Sequence, residues 1–222
     1  MNRLALPVLA LLGLLAAAGP ALAAGPEQLE QLEPDGGQWQ LEYYGLVADG
    51  DDDEHSAQVL YGLTDRLALG LEVESEGFAP TALYRFTDPE EDPLGIGVEA
   101  QAEFDGDFEL SALEGRLILE RVREDWWLQG NVMLRHEREA GDWESEVAYG
   151  WAASRGLGGG LWLGVEGSGQ AGSGGGHYVG PAITIEREPA RGPEVEIGLA
   201  YQRRIGGEGP GDSVRMFVQL TL

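Results

Sequence analysis

Aliphatic residues at every second position, sustained over nine to eleven residues, are the feature that most restricts this chain. In Leu94–Phe104, the residues Leu94, Ile96, Val98, Ala100, Ala102 and Phe104 alternate with Gly95, Gly97, Glu99, Gln101 and Glu103. The same period recurs at Leu67–Glu74, Leu161–Glu166, Glu194–Tyr201 and Val214–Leu222. Beyond Gly37 there is little helical periodicity to compete with it. Period two is the signature of a strand whose two faces meet different surroundings. An ordinary strand runs to about five or six residues. A tilted strand of about nine to eleven is what crosses a bilayer. Reading the alternation along the chain predicts twelve strands, near 38–47, 56–63, 67–75, 78–86, 94–104, 109–119, 126–136, 143–153, 160–168, 177–186, 194–203 and 213–222. Pro80 and Pro181 fall inside two of them and are expected to weaken a hydrogen-bond ladder there.

The two faces differ in kind. One carries Leu, Ile and Val; the other carries Gly, Ala and Glu. Aromatic residues gather near strand ends, at Trp39, Tyr61, Phe86, Phe104, Trp126, Trp143 and Tyr201. An apolar band flanked by aromatic girdles around a polar interior describes a transmembrane β-barrel. The expected fold is therefore all-β: an antiparallel up-and-down barrel of about 12 strands, with 10 as the lower count. The alternative is a soluble β-sandwich, which would bury the aliphatic face instead.

Charge narrows the function classes. The chain has 14 Arg, no Lys, 39 Asp+Glu and a net charge of −25. That balance opposes nucleic-acid binding, which needs a basic footprint. Absence of cysteine excludes disulfide scaffolds, thiol chemistry and lipid attachment through a cysteine.

Met1–Ala23 has the order of a secretory signal: Arg3, an apolar run Leu4–Ala18, the break Gly19-Pro20, and Ala21-Leu22-Ala23. Cleavage after Ala23 removes Arg3 and no acid, and leaves a mature charge of −26. The resulting division is a signal at 1–23, a periplasmic N-terminal segment at 24–37, with a short helical turn at Pro26–Leu32, and a barrel at 38–222. An even strand count puts both termini on the periplasmic side. The turns near 64–66, 87–93, 121–125 and 188–193 then lie there too. Those near 48–55, 75–77, 105–107, 137–142, 169–176 and 205–212 lie outside.

Two stretches resemble known proteins. Val214–Leu222 alternates up to the final residue and looks like the C-terminal recognition strand of outer-membrane barrels, with Leu222 where that pattern prefers Phe. The turn Tyr61-Gly62-Leu63-Thr64-Asp65-Arg66-Leu67 is similar to one in small Gram-negative outer-membrane β-barrel proteins of transporter type, related to phenol meta-pathway proteins. Glu114–Leu119 and Trp126–Asn131 have the same character. The resemblance implies localisation in the cell outer membrane, contact with its lipid and lipopolysaccharide, and assembly by the barrel-assembly machinery through the last strand.

Candidate functional residues lie mainly on the inward face. They are Glu72, Glu74, Glu99, Glu103, Glu114, Arg116, Asn131, Arg135, Glu166 and Glu196. Carboxylates outnumber guanidiniums there, so an open lumen favours cations. Small inward residues such as Gly70, Gly95, Gly97, Ala148, Gly150, Gly164 and Gly198 leave room for a narrow passage. Asp49, Asp51, Asp53 and Glu54 resemble the start of a calcium loop, but Leu60 stands where the bidentate Glu belongs, so only weak surface cation binding is expected. The three histidines, His55, His136 and His177, have no metal-ligand spacing and no evident catalytic partners. No cofactor and no catalytic residue is expected. The reading is a narrow channel for small polar or cationic solutes. The alternatives are a closed structural or surface-interaction barrel with a Glu/Arg-filled lumen and, third, an outer-membrane lipid hydrolase using Ser173 and His177.

Overall fold

A computed structural model describes residues 29–33, 35–49, 54–75, 77–139, 142–172, 175–190 and 192–222. The signal expected over residues 1–23 lies outside the described residues. Twelve strands follow one another: β1 (Trp39–Ala48), β2 (Glu54–Thr64), β3 (Leu67–Glu74), β4 (Gly77–Thr87), β5 (Gly95–Asp105), β6 (Leu110–Arg123), β7 (Trp126–Glu139), β8 (Asp142–Gly156), β9 (Leu161–Ala171), β10 (His177–Arg187), β11 (Glu194–Gly206) and β12 (Ser213–Thr221). Each pairs antiparallel with its sequence neighbours. The last returns to the first, Gln40 opposite Thr221 and Ala48 opposite Ser213, so the sheet is a closed barrel. Trp39 and Leu222 complete the seam with two backbone hydrogen bonds of 3.1 and 2.8 Å. Every expected strand is present.

The parity rule assigns the faces. On β5, Gly95, Gly97, Glu99, Gln101 and Glu103 are buried, while Val98 and Ala100 are exposed. On β11, Glu196, Gly198, Ala200 and Gln202 point inward, and Ile197, Leu199 and Tyr201 point out. The outer wall is thus aliphatic, with Leu69, Leu117, Leu134, Ile197 and Leu199 all exposed. Glu42, Glu99, Glu166 and Arg215 are buried inside. A soluble sandwich would show the reverse, so burial itself excludes it.

Strands β6, β7 and β8 run to 14, 14 and 15 residues, about three longer than their sequence pattern indicated. The added residues are paired across the ladder: Glu120–Arg123 of β6 face Trp126–Gln129 of β7, and Glu137–Glu139 of β7 face Asp142–Glu144 of β8. The expected loop at 137–142 is therefore mostly ladder. Pro80 and Pro181 both point outward and interrupt one ladder each. The β4–β5 pairing skips from Phe78↔Phe104 to Thr81↔Gln101 and the β10–β11 pairing from Val179↔Arg203 to Ala182↔Ala200, with the register unchanged across each gap. Each proline stays paired on its other side, with Leu71 and Val165 respectively.

The wall orientation gives a stability prediction. Leu199→Arg places a guanidinium on the lipid-facing side near mid-strand and should cost about 2–4 kcal/mol of folding free energy. Urea titration of folding into phospholipid vesicles measures it. A cost near zero would mean that this face meets water.

Candidate functional site

The lumen is built by the inward residues of all twelve strands, and its charges form separate networks. On the β3–β7 side, Arg116 Nη2 donates to Glu114 Oε1 at 2.7 Å, and its Nη1 lies 3.1 Å from Glu30 Oε1 and 4.0 Å from Glu99 Oε1. Arg135 Nη2 donates to Glu103 Oε2 at 2.7 Å and its Nε to Glu137 Oε2 at 2.9 Å, with Glu114 Oε2 at 3.7 Å from Nη1. Gln101 Nε2 bridges Glu72 Oε2 at 3.1 Å and Glu99 Oε1 at 3.4 Å. On the opposite side, Arg215 makes a two-pronged contact with Glu166, its Nε donating at 2.9 Å. Gln202 Nε2 donates to the same carboxylate at 2.6 Å, and its Oε1 accepts from Ser168 Oγ at 3.1 Å.

The sequence-derived candidates are thus spread over two networks, two separate wall positions and one connection. Glu72, Glu99, Glu103, Glu114, Arg116 and Arg135 share the first network, with Asn131 beside it. Glu166 belongs to the second. Glu196 stands apart and accepts from Gln31 Nε2 at 3.3 Å. Glu74 is half-buried, two residues beyond Glu72 on β3. Asp49 and Glu54 flank the first outer connection; Asp51 and Asp53 lie outside the described residues. Among the described residues no three acidic or histidine side chains converge to hold a metal ion.

The first network is electrostatically lopsided. Two guanidiniums, Arg116 and Arg135, serve Glu30, Glu99, Glu103, Glu114 and Glu137. Buried charge is tolerable only when paired and hydrogen-bonded. This network therefore holds more carboxylates than guanidiniums. Gln58, set in register between Glu42 and Glu72, adds an amide with neither head atom hydrogen-bonded within the protein.

A short piece of chain ahead of β1 occupies part of this space. Residues 29–33 lie inside the barrel, Glu30 at mid-wall beside Asn131 and Arg116 and Leu32 nearer the end where β1 begins, and Leu29, Glu30 and Leu32 are buried. Asn131 reads the backbone of Glu30 twice, Oδ1 accepting from its N–H at 2.7 Å and Nδ2 donating to its carbonyl at 3.3 Å. Glu120 Oε2 accepts from Leu32 N–H at 3.1 Å, and Arg85 Nη1 donates to Leu32 carbonyl at 3.2 Å. Gln219 Nε2 donates to Glu33 Oε2 at 2.9 Å. The helical turn expected over Pro26–Leu32 is not formed by residues 29–32. The wall supplies their backbone partners, so none is needed from within the segment.

The small inward residues also mean something different from open space. A Cβ on Gly95 would sit 2.9 Å from Leu32 Cδ1, and one on Gly97 would collide with Leu32 Cδ2. Leu32 rests there in a cluster with Ala68, Leu83 and Ile118. Gly198 likewise lies under the Phe217 ring, and Gly70 under Leu60. These glycines make room for the protein's own side chains.

The histidines are neither loop nor lumen groups. His55 pairs with Tyr43 Oη at 2.9 Å, His136 with Ser145 Oγ at 2.9 Å, and His177 with Tyr149 Oη at 2.9 Å. By strand parity all six side chains face outward, toward the end of the barrel where β1 ends and β12 begins. Ser173 lies outside the described residues.

The sequence matches no protein-family model and no curated protein. Solved structures do resemble it. The NanC porin aligns at TM-score 0.52 and 11% identity, covering 82% of this chain and 98% of its own. An outer membrane channel from Pseudomonas putida F1 aligns at TM-score 0.52 and 13% identity, covering 90% and 99%. The KdgM porin in complex with disordered oligogalacturonate aligns at TM-score 0.50 and 12% identity, covering 82% and 97%. At these identities the likeness is one of fold: this chain has the barrel architecture of outer-membrane porins and channels.

Sequence reasoning missed Glu30, Gln31 and Leu32 as lumen residues. The run Glu27-Gln28-Leu29-Glu30-Gln31-Leu32-Glu33 carries a three-residue repeat that fits neither strand nor helix and was the available signal. It also missed Trp127, which points inward; Trp162 points inward as the alternation over Leu161–Glu166 indicates.

Seating of the segment can be measured, because a cysteine-free chain accepts a single probe. Gln31→Cys should resist a bulky hydrophilic maleimide in the folded barrel. Adding Leu32→Ala, which removes about 2–5 kcal/mol of buried side-chain stabilisation, together with Asn131→Ala, about 1 kcal/mol per lost hydrogen bond, should raise the labelling rate at least about tenfold. Fast labelling of the single-cysteine variant itself would contradict the seated arrangement.

Proposed function

We propose that this protein is a narrow outer-membrane channel that favours small polar or cationic solutes and carries out no chemistry on them. The observation that carries the reading is the surplus of inward carboxylates: Glu30, Glu72, Glu99, Glu103 and Glu114 crowd around Arg116 and Arg135. A charged, low-dielectric passage focuses its field and enriches counter-ions. Solute passage through a porin fold fits the likeness to channel barrels, and a pore part-filled by residues 29–33 fits a low rather than a wide conductance. The aliphatic belt and its aromatic borders suit outer-membrane lipid with lipopolysaccharide on the outer side. The alternating end Val214–Leu222 suits recognition by the barrel-assembly machinery. The acidic stretch Asp49, Asp51, Asp53 and Glu54 would add weak cation attraction at the outer mouth.

A second reading has its own observation. The seated segment and the paired Glu166–Arg215 and Arg116–Glu114 networks would also suit a closed, structural barrel. A planar bilayer separates the two.

Under a tenfold KCl gradient the reversal potential should take the cation-selective sign. A cation-to-anion ratio on the order of ten is expected, since a few kT of focused potential enriches counter-ions by that factor. Glu99→Gln with Glu103→Gln should lower the ratio several-fold while leaving the protein folded. Anion selectivity would overturn the channel reading, and absence of current would favour the closed barrel.

A further inference from the structure

Tryptophans in a membrane barrel belong on its lipid side, at the interfaces. Trp39, Trp126, Trp143 and Trp151 obey that rule and are exposed on the outer wall. Trp127 and Trp162 do not. Each occupies an inward position at the end of the barrel where β1 begins and β12 ends, and their rings meet edge to face with centroids 5.9 Å apart. Strand β8 lies between their strands, and Gly156 clears the way: a Cβ there would sit 3.2 Å from the Trp162 ring.

Both indoles are fixed by lumen carboxylates. Trp127 Nε1 donates to Glu120 Oε1 at 2.7 Å, and Trp162 Nε1 donates to Glu186 Oε2 at 3.0 Å. The same Glu120 holds the N–H of Leu32, so Trp127 is the link between the seated segment and Trp162. Beside Trp162 opens a cavity of about 690 Å³, lined by Glu186, Glu188, Glu124, Asp125 and the glycine turn 158–160. Its volume falls in the range of small-molecule sites, about 300–1,000 Å³. Arg187 is the one basic residue on its lining. Asp125 is partly engaged by Arg155 at 3.3 Å.

Resting on the channel reading above, we propose that this vestibule is a binding site for an organic ammonium group, with Trp162 as its aromatic platform and Glu186 as its counter-charge. The chemistry selects that class in three ways. Carboxylates outnumber guanidiniums, which disfavours anions. No three acids among the described residues converge as metal ligands need to, which disfavours a chelated ion. An aromatic platform adds cation–π attraction, which is strongest for weakly hydrated alkylammonium ions and for Trp among the rings. Held by Glu186, the indole cannot swing away, so the platform is formed before the solute arrives. Solutes emerging from the acidic lumen meet it at the mouth.

The test uses the mature full chain in detergent micelles or nanodiscs, with tetramethylammonium chloride as the probe. Saturation-transfer NMR onto the probe's methyl protons reads binding without using a tryptophan as reporter. We expect saturable transfer, little competition from NaCl at matched ionic strength, and none to glucose. Trp162→Leu and Glu186→Gln should each weaken apparent affinity at least about tenfold, while Trp162→Phe, which keeps a ring, should stay within about threefold of the native protein. Heat-modifiable gel mobility checks folding. If the leucine variant does not fold, the Glu186→Gln and Trp162→Phe pair decides alone. Unchanged affinity in Glu186→Gln, full competition by NaCl, or equal transfer to glucose overturns the site. Reversal potentials measured separately keep the two ideas apart. Cation-selective current without saturable transfer removes the site and leaves the channel; saturable transfer without current does the opposite.

Discussion

Everything in this molecule follows from the need to pair every backbone N–H and C=O within a medium that offers no hydrogen bonds. An open sheet would leave two bare edges, each group costing several kcal/mol in hydrocarbon. Pairing β1 with β12 from Gln40↔Thr221 to Ala48↔Ser213 removes both. Closure then divides side chains by parity alone, because adjacent residues on a strand face opposite ways. One parity class must be soluble in lipid, and the other must fill or line a space that lipid cannot reach. The exposed Leu117, Ile197 and Leu199 and the buried Glu99, Arg116 and Glu166 are two results of one constraint.

What goes inside is harder to satisfy. A twelve-stranded barrel is wider than the eight-stranded kind that side chains alone fill. Here the remainder is met partly by large inward side chains over glycine, as Phe217 over Gly198, and partly by residues 29–33. The segment does not balance charge. Glu30 brings a further carboxylate to Arg116, which already serves Glu99 and Glu114. Its seat depends on other terms: the burial of Leu32 against Ala68, Leu83 and Ile118, and backbone hydrogen bonds to Asn131, Glu120 and Arg85. Electrostatics and packing therefore pull in opposite directions at this point, and a cation in the lumen eases the electrostatic side.

The strands were legible because alternation is a local signal. Leu94–Phe104 announces its two faces without reference to any other residue, and the closed sheet adds only the partners. Where pairing rather than composition extends a strand, the boundary moved: Glu137 and Arg138 continue β7 because Glu144 and Trp143 stand opposite. The lumen's wall was legible for the same parity reason, and Glu72, Glu99, Glu103, Glu114, Arg116 and Glu166 are all buried inside. Its contents were not. Asn131 and Glu30 are 101 residues apart, and nothing local in Glu30–Glu33 indicates that its backbone partners are side chains of β6 and β7. Glycine was ambiguous in principle, since a missing Cβ leaves room without saying for what.

The pair Trp126-Trp127 shows how much rides on a single step of that parity. By composition the two are one aromatic doublet at a strand end, the mark of an interfacial girdle. In the barrel Trp126 lies on the lipid side, with Arg155 5.9 Å from its ring centre. Trp127 turns into the lumen and donates to Glu120. A one-residue slip of β7 would exchange them, and would also carry Asn131, Met133 and Arg135 from the interior to the lipid face. Register is thus held by the most expensive errors available: a guanidinium and an amide exposed to hydrocarbon. The polar lumen is thus also what fixes the alignment of the sheet around it, so the residues that line the interior are inseparable from those that specify the fold.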